Sequence, residues 1–431
     1  MQFKSPIAIL GFGVEGQYAA EFLKKQGARD VTVLDQKENP AAFDDLSRFG
    51  AIIRSPGVRY NLPGIVLARQ SGALVTSMTQ LALEAANRRI TAITGSNGKT
   101  TTTALIAAIL RAHYGEKLII GGNDGQPVLQ EVLDHPDWPV LLEVSSFQFA
   151  DVTISPHIAA VLNITPNHLD WHADLEDYIH AKNNLIRHQR PEDWCVLNAN
   201  DENSRKLAAE APSCVFWVGE KKENHYAVWE GDSLVVRHGG DPFEVTERGR
   251  LKAKTHPDNF LFAAAVASLH QVPIGVAARQ MENLTGIPQR LEFVREIDGV
   301  SFYNDSSCTT PESAEIAIEN FPQGKLILML GGSSKSADFS FLASKIVGTD
   351  VRVYLYGLEG ERIKKAIEKT GGAKQILTYN TSKDFRQIVE DVYHQAKQGD
   401  NVVLSPATAS FDMFKNSKER GELFNQFVND L

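Results

Sequence analysis

The chain has 431 residues, which is enough for about three domains. It is 43% hydrophobic and 23% charged, as in an ordinary globular protein, and its net charge of −9 argues against non-specific nucleic-acid binding. Cys195, Cys214 and Cys308 lack a metal-binding spacing. The apolar run before Gly11 is only four residues long, and no run approaches the roughly 20 apolar residues of a membrane helix. We therefore expect a cytoplasmic protein without membrane insertion.

The first block opens with IAILGFGVEGQYAAEFLKKQGARDVTVLD, which predicts a strand, a glycine turn, a helix and a second strand. The glycines from Gly11 to Gly16 and the acidic Asp35, 19 residues beyond Gly16, match the fingerprint of a dinucleotide site. In such a site a phosphate lies at the helix N-terminus. A tight turn without a ligand is the alternative. The motif does not identify the nucleotide.

Two further blocks alternate strands with helices. The second begins near Arg89 and contains the strand-like runs ITAIT, KLII, PVLLEV, IAAVLNI and CVLN, with helical segments in LEDYIHAKNNLIRH and FLFAAAVASL. The third begins near Ile287, with strands expected in SFYND, KLILMLGG, RVYLYG and NVVLSP. This alternation predicts parallel sheets throughout. The expected fold is α/β with three domains: Rossmann-like (1–88), P-loop ATPase-like (89–286) and Rossmann-like (287–431).

The segment AITGSNGKTTTTA joins a predicted strand to a predicted helix, and it is shorter than the usual phosphate loop G-x-x-x-x-G-K-[ST]. Its glycines are Gly95 and Gly98. Amides from Ser96 onward can wrap a phosphate, with Lys99 reaching the β- and γ-phosphates and Thr100 holding Mg²⁺. The alternative is a surface lysine followed by a helix cap. The strand–helix junction favours the phosphate loop.

Three more polar residues follow apolar strands or lie in the next helix. Glu143 ends the strand PVLLE and can ligate Mg²⁺, although an exposed strand-end charge is equally typical there. His168 follows the strand IAAVLNI, at the expected ligand edge. Lys182 lies within a helix, where a lysine is ordinarily solvated.

These motifs together resemble the Mur ligases over nearly the whole chain. The resemblance rests on ITGSNGKTTTT, LLEVSSFQF, NITPNHLDWH, DYIHAK, IPQRLEFV, NDS, LGGSSKSADF and LSPATASFDMFKNSKERG, in this order. The segments GGSSKSADF and SPATASFDMFKNSKERG are similar to those of the members that add D-glutamate. The sequence departs from the usual pattern at Ser307, Thr310, Phe262 and Ser417.

The resemblance implies an ATP-dependent amide-bond ligase that adds D-glutamate to UDP-N-acetylmuramoyl-L-alanine through an acyl phosphate, with two Mg²⁺ ions. The implied catalytic residues are Lys99, His168 and Lys182. Those implied to bind ATP are Gly95, Ser96, Asn97, Gly98, Lys99, Thr100, Thr101, Asn259, Arg290 and Asp305. The implied metal ligands are Thr100 and Glu143 for one ion, and His168 and a carbamylated Lys182 for the other. Those implied to bind the UDP-substrate are Gly13, Val14, Asp35, Ser55, Pro56, Gly57 and Asn123. Those implied to bind D-glutamate are Thr309, Lys335 and Ser410.

Three alternatives remain open on the sequence. One is a related ligase for another amino acid, including a folylpolyglutamate-type synthetase. Another is an NAD-dependent oxidoreductase built on the Gly11 motif, which leaves the Lys99 loop unexplained. The third is a binding protein without ATP chemistry. We expect small-molecule substrates, no nucleic-acid partner and a monomer.

Overall fold

The computed structural model describes residues 3–86, 89–123, 127–168, 171–222, 224–322, 324–333 and 337–431, apart from the side chain of Glu312. The chain divides into two compact units. The first comprises Met1–Gly249 and Pro257–Met281, and the second comprises Arg250–His256 and Glu282–Leu431. Within the described part of the chain, no helix is long and apolar enough to span a bilayer.

The N-terminal sheet is wholly parallel, with the order β2-β1-β3-β4. Its strands are β1 (Ile7–Leu10), β2 (Val31–Leu34), β3 (Ala51–Arg54) and β4 (Leu74–Thr76). Its helices are α1 (Val14–Lys25), α2 (Pro63–Gln70) and α3 (Met78–Ala86). Ile7 and Ile9 enter one apolar cluster, while Ala8 and Leu10 enter another. Because both faces are buried, this strand is a continuous apolar run.

The central sheet has nine strands in the order β13-β12-β11-β10-β9-β8-β5-β7-β6. They are β5 (Ile90–Thr94), β6 (Ile119–Gly122), β7 (Val140–Glu143), β8 (Ile158–Val161), β9 (Trp194–Asn198), β10 (Cys214–Val218), β11 (His225–Glu230), β12 (Ser233–His238) and β13 (Phe243–Glu247). The accompanying helices are α4 (Lys99–Tyr114), α5 (Leu129–Asp134), α6 (Ser146–Phe149), α7 (Leu175–Asn183), α8 (Glu202–Glu210), a 3₁₀ turn (Arg248–Arg250), α9 (Pro257–Leu269) and α10 (Ile274–Asn283).

The prediction of parallel sheets throughout is wrong at one edge of this sheet. Strand β12 pairs antiparallel with both β11 and β13. A two-residue turn with Gly231 at φ +61° joins β11 to β12. A hairpin needs only such a short turn, whereas parallel neighbours need a long crossover. The Gly231-Asp232 dipeptide between two apolar runs was therefore a local signal for this hairpin.

The C-terminal sheet has six strands in the order β14-β15-β19-β16-β17-β18. They are β14 (Glu292–Ile297), β15 (Val300–Asn304), β16 (Leu326–Gly331), β17 (Arg352–Tyr356), β18 (Ile376–Asn380) and β19 (Asn401–Leu404). The helices are α11 (Pro311–Asn320), α12 (Ser340–Val347), α13 (Gly360–Lys369), a 3₁₀ turn (Ala373–Gln375), α14 (Phe385–Gln395) and α15 (Ser417–Asp430). The β14–β15 pair is antiparallel, a second exception to the predicted parallel pairing.

All three sheets carry helices, and most neighbouring strands are parallel, so the predicted α/β fold is confirmed. The N-terminal and central sheets share the first compact unit, and the C-terminal sheet lies in the second. The domain limits at 89 and 287 stay predictions. Parallel strands bring their carboxyl ends to one edge of a sheet, and the loops at these edges carry the candidate site residues.

Candidate functional site

The glycine turn after β1 is closely packed. A side chain at Gly16 would place its Cβ 2.0 Å from the Gly11 carbonyl oxygen, so only glycine fits there. The Ser55 hydroxyl donates to the same oxygen at 2.9 Å. Asp35 accepts from the Phe12 amide and from the Lys37 amide, both at 2.9 Å. Both hydrogen bonds lower the pKa of Asp35, and the bond from the Lys37 amide has the larger effect. Ser55 and Asp35 thus shape the turn where the UDP ligand is expected.

Gly13, Val14, Pro56 and Gly57, also predicted for the UDP-substrate, follow the carboxyl ends of β1 and β3. Gly13 precedes α1 as its N-cap, and the side chain of Val14 is exposed. Pro56 and Gly57 follow β3 directly, in the loop that also supplies Ser55. The Trp171 indole N–H donates to the Gly57 carbonyl oxygen at 3.2 Å. This hydrogen bond joins the loop 55–57 to the segment that follows β8 of the central sheet.

The short phosphate loop connects β5 to α4, as predicted. Gly98 is the N-cap of α4 and has φ +84°, a conformation that favours glycine. A Cβ there would lie 2.8 Å from the side-chain oxygen of Asn259, which also accepts from the Thr102 hydroxyl at 3.1 Å. The structure therefore places the predicted ATP residue Asn259 against the loop, with Thr101 in the first turn of α4.

Within the loop, the side chain of Lys99 forms hydrogen bonds with backbone carbonyl groups. The Lys99 ammonium donates to the carbonyl oxygens of Gly95 at 2.9 Å and Ser96 at 3.2 Å. The amides of Ser96 and Asn97 donate to Asn163, at 2.9 Å each. These two amides were predicted to wrap a phosphate, but in this structure they hold the loop to the segment after β8. The positive N-terminus of α4 follows directly.

Thr100, Glu143 and Asn123 form a polar cluster at the edge of the central sheet. Strands β5 and β7 are parallel neighbours, and Ile93 pairs with Glu143. This register puts the loop and the carboxylate side by side. The Thr100 hydroxyl lies 3.3 Å from Glu143 Oε1, and the side-chain amide of Asn123 donates to the same oxygen at 3.1 Å. Hydroxyl and carboxylate oxygens are the hard ligands that Mg²⁺ prefers, so this pair fits the expected ion.

Lys182 is buried. From the residues alone, a lysine in this helix was expected to be solvated, and that expectation is wrong. Its ammonium nitrogen donates to the Thr94 hydroxyl at 3.1 Å and lies 4.8 Å from the centre of the Tyr178 ring. Burial, with the charge of Lys99 as a second cause, lowers the pKa of Lys182 well below its usual value. An uncharged amine is the form that can add CO₂. The position thus fits the expected carbamate.

His168 lies in the turn that follows β8 and has φ +55°. Its ring packs edge-on against Phe147, with centroids 4.8 Å apart, and Phe147 follows Glu143 by four residues. In the described part of the chain, no three side chains of His, Cys, Asp or Glu come close enough to hold a metal ion.

The C-terminal unit brings Asp305 and Arg290 together. Asn304 pairs with Leu404 in adjacent strands, so Asp305 and Ser405 leave the sheet side by side. The Ser405 hydroxyl donates to Asp305 at 2.7 Å. Burial raises the pKa of Asp305 to about 7, although the Ser405 hydrogen bond and the charge of Arg290 oppose the rise. These two predicted ATP residues thus share one edge of the sheet.

The predicted D-glutamate residues Thr309 and Ser410 lie in the loops after β15 and β19, which are neighbouring strands. The fully buried Arg420 links these loops. Its guanidinium donates to the Ser306 hydroxyl at 3.0 Å and to the carbonyl oxygens of Ser306 at 2.9 Å, Thr408 at 3.2 Å and Ala409 at 3.3 Å. Lys335, the third predicted residue, lies outside the described residues.

Sequence reasoning missed several residues around these sites. Gln148 donates to Glu15 at 2.8 Å, and burial raises the pKa of Glu15. The other carboxyl oxygen of Glu15 is buried without a hydrogen-bond partner in the described part of the chain. Arg54 donates to Asp151 at 2.6 Å and joins β3 to the segment after α6. Tyr178 and Lys182 are one helical turn apart, so they lie on the same face of α7. This spacing was the sequence signal that could have identified the buried face of the helix.

Comparisons with known proteins identify the family of this chain. Residues 93–267 match the family described as the Mur ligase middle domain, and residues 289–408 match the Mur ligase, glutamate ligase domain. A UDP-N-acetylmuramoylalanine--D-glutamate ligase of Acetivibrio thermocellus is 35% identical, covering 99% of this chain and 96% of the relative.

Two solved structures share the fold. A UDP-N-acetylmuramate-alanine ligase from Thermotoga maritima has a TM-score of 0.61 at 16% identity, covering 98% of this chain and 99% of its own. A MurF ligase from the same organism, in complex with ADP, has a TM-score of 0.60 at 18% identity, covering 98% and 95%. Both therefore share the α/β fold of this chain.

Proposed function

Because the chain belongs to the Mur ligase family, we propose that it uses ATP to join D-glutamate to UDP-N-acetylmuramoyl-L-alanine in peptidoglycan precursor synthesis. The observation that carries the proposal is the cluster at the edge of the central sheet. There the loop lysine Lys99, the Thr100–Glu143 pair and the buried Lys182 serve a phosphoryl-transfer reaction. The full-length similarity to relatives named as D-glutamate ligases supports the choice of amino acid.

In the proposed reaction, the carboxylate of the UDP-substrate attacks the γ-phosphorus of ATP, giving an acyl phosphate and ADP. The amine of D-glutamate then attacks the acyl carbon. The tetrahedral intermediate collapses to the amide and releases phosphate. The protein mainly positions the reactants and offsets negative charge, as in other phosphoryl transfers.

Each group of residues has a proposed role. Lys99 holds the phosphates and offsets their charge, and Asn123 orients the muramoyl substrate. Thr100 and Glu143 would hold one Mg²⁺, while His168 and a carbamylated Lys182 would hold the second. Bound Mg²⁺ supplies positive charge beside the phosphate oxygens. The UDP moiety is assigned to the turn formed by residues 11–16 and the loop 55–57.

The second unit is proposed to supply the remaining contacts. Arg290 and Asp305, together with Asn259 of the first unit, are assigned to ATP. Thr309 and Ser410 are assigned to D-glutamate, with Lys335 as the cation for one of its carboxylates. Because ATP and a UDP-linked precursor are the substrates, we place the enzyme in the cytoplasm, and we propose that it acts as a monomer.

An ADP-release assay tests this proposal. The purified chain is incubated with UDP-N-acetylmuramoyl-L-alanine, ATP and Mg²⁺, with D-glutamate, L-glutamate, D-alanine or L-lysine as the amine. We expect ADP release only with D-glutamate. Release with another amino acid, or with a folate-type acceptor in place of the UDP-substrate, would assign a different ligase. Binding of the UDP-substrate without ADP release under any combination would indicate a binding protein.

A further inference from the structure

His172 joins three elements of the first unit through hydrogen bonds from both of its ring nitrogens. Nδ1 lies 2.9 Å from Asp177 Oδ2, in α7, and Nε2 lies 2.9 Å from Ser146 Oγ, in α6. The imidazole is wholly buried, and Ser146 is buried as well. None of these three residues has a role in the proposed reaction so far.

Chemistry fixes the direction of each hydrogen bond. Burial opposes ionisation of Asp177, but hydrogen bonds from Tyr60 and His172 outweigh it and lower the carboxyl pKa. The ionised carboxylate only accepts, so His172 Nδ1 carries a proton. In the tautomer with its proton on Nδ1, the ring accepts at Nε2 from the Ser146 hydroxyl.

The chain of hydrogen bonds continues into the N-terminal domain. The Tyr60 hydroxyl donates to the second oxygen of Asp177 at 2.8 Å. Burial first, and then the bond to Asp177, raise the pKa of Tyr60 to about 12, so this hydroxyl keeps its proton. Tyr60 lies shortly after the loop 55–57, which is assigned to the UDP-substrate. The connected order is therefore Tyr60, Asp177, His172 and Ser146.

Two members of this chain, Ser146 and Asp177, lie in helices next to residues assigned to metal binding. Ser146 begins α6, three residues after Glu143, and Asp177 is in the same helix as Lys182. The amide of His172 donates to the carbonyl oxygen of His168 at 3.0 Å. His172 therefore anchors the turn that begins at His168 to the two helices adjoining the other ligands.

Serine, histidine and aspartate in this order also occur in hydrolases. Ser146 is only 3% exposed, and the neighbouring Phe147 ring packs against Trp171 at 4.7 Å. A serine nucleophile needs access to a carbonyl carbon, and this hydroxyl lacks it. A structural connection is the function that fits the burial.

We propose that His172 is a positioning residue for the ligase reaction, holding His168 in register with Glu143 and Lys182. This inference rests on the proposed function. Partners that orient metal ligands typically change metal affinity or activity by about 10- to 100-fold when they are removed. The effect of losing His172 should therefore appear in metal binding and in kcat, rather than in the KM for D-glutamate.

The test compares His172→Ala with His270→Ala. His270 is a matched control, because its ring also makes two hydrogen bonds, to Thr91 at 2.8 Å and to Tyr114 at 3.1 Å. Mn²⁺ affinity is measured by electron paramagnetic resonance with a non-hydrolysable ATP analogue bound, and kcat and KM are measured on the same samples. We expect His172→Ala to weaken Mn²⁺ binding and lower kcat by about 10- to 100-fold. The His270 variant should keep both values.

A milder variant covers the case in which His172→Ala does not fold. Ser146→Ala removes one hydroxyl and should shift Mn²⁺ affinity in the same direction by a smaller factor. Wild-type Mn²⁺ affinity in the folded variants, or equal losses in the His270 control, would overturn the positioning role. Mn²⁺ binding does not depend on which amine is the substrate. Absence of ADP release in the wild type would therefore refute the proposed function without deciding the role of His172.

Discussion

The Lys99 ammonium lies 2.9 Å from the carbonyl oxygen of Gly95, the first residue of the loop that Lys99 closes. The lysine therefore folds back over the loop, and a carbonyl oxygen is the acceptor in the place where a phosphate oxygen would be bound. A γ-phosphate would offer a charged acceptor instead of a neutral one, which makes a shorter and stronger hydrogen bond. On the proposed assignment of Lys99, a phosphate oxygen of ATP would replace the Gly95 carbonyl oxygen as the acceptor.

Replacement of Lys99 by alanine should lower kcat by at least about 100-fold, because a charge that stabilises the transition state is lost. The free energy of unfolding should change by less than about 1 kcal/mol, since water can replace the ammonium at the loop carbonyls. ADP-release kinetics and thermal unfolding measure the two effects. Lys206→Ala is the control, because Lys206 is 66% exposed and forms a surface ion pair with Glu202 in the same helix. Near-normal turnover of the Lys99 variant would contradict the phosphate-loop assignment.

The strands with continuous apolar runs were predictable from the sequence, because a buried parallel strand has no polar face. The runs at β1, β5, β8 and β16 all correspond to observed strands. The β11–β13 strands were missed because their alternation of polar and apolar residues is irregular. Whether a strand pairs parallel or antiparallel depends on its connection, and the two-residue turn at Gly231 was the decisive feature.

Asp305 should make the stability of the second unit depend on pH. Its pKa is raised from 3.8 to about 7 in the folded chain, so the folded state binds this proton more tightly than the unfolded state. The stability contributed by the protonated carboxyl is complete below about pH 4 and is lost as the pH rises towards about 7. Asp305→Asn should abolish this loss.

The measurement is the free energy of unfolding of wild type and Asp305→Asn at pH 5.5 and pH 8. The variant should gain about 2 kcal/mol relative to wild type between these pH values. Asp430→Asn serves as a control, because Asp430 is an exposed carboxylate in the same unit. Parallel pH profiles for wild type and Asp305→Asn would show that Asp305 is ionised throughout.

Arg420→Met should destabilise the second unit by about 3–5 kcal/mol, because three buried carbonyl oxygens and one hydroxyl lose their donor. The loops that carry Thr309 and Ser410 should then become less ordered. Hydrogen exchange of residues 305–310 and 406–410 measures this directly. Arg386→Met removes an exposed pair with Asp430 and should cost at most about 1 kcal/mol. Equal effects of the two substitutions would contradict a linking role for Arg420.

Motifs predicted the segments of the candidate site, but not the contacts that their side chains make. The sequence shows a lysine in a helix, and only the packing of α7 against β5 reveals that Lys182 is buried beside Thr94. Similarly, nothing in the local pattern indicates that Asn163 holds two loop amides, because the contact joins distant segments. Hydrogen-bond partners across a sheet edge follow from tertiary structure and not from spacing.

The last prediction concerns the proposed carbamate of Lys182. A cationic Lys182 beside the charge of Lys99 would repel a metal ion, whereas a carbamate supplies anionic oxygen ligands. Burial lowers the pKa of this amine, which favours the neutral form required for the reaction with CO₂. Lys182→Ala should therefore lower kcat by at least about 100-fold while leaving a gap at the ligand position.

Short-chain carboxylates distinguish a carbamate from an amine. Acetate or propionate can enter the gap in Lys182→Ala and present two oxygens where the carbamate stood, so kcat should recover by about 10-fold or more at high millimolar concentrations. Lys99→Ala is the matched control, because an anion cannot replace a cation that holds a phosphate. Full activity of Lys182→Ala without additives, or equal recovery of both variants, would show that Lys182 does not act through a carboxylate-like group.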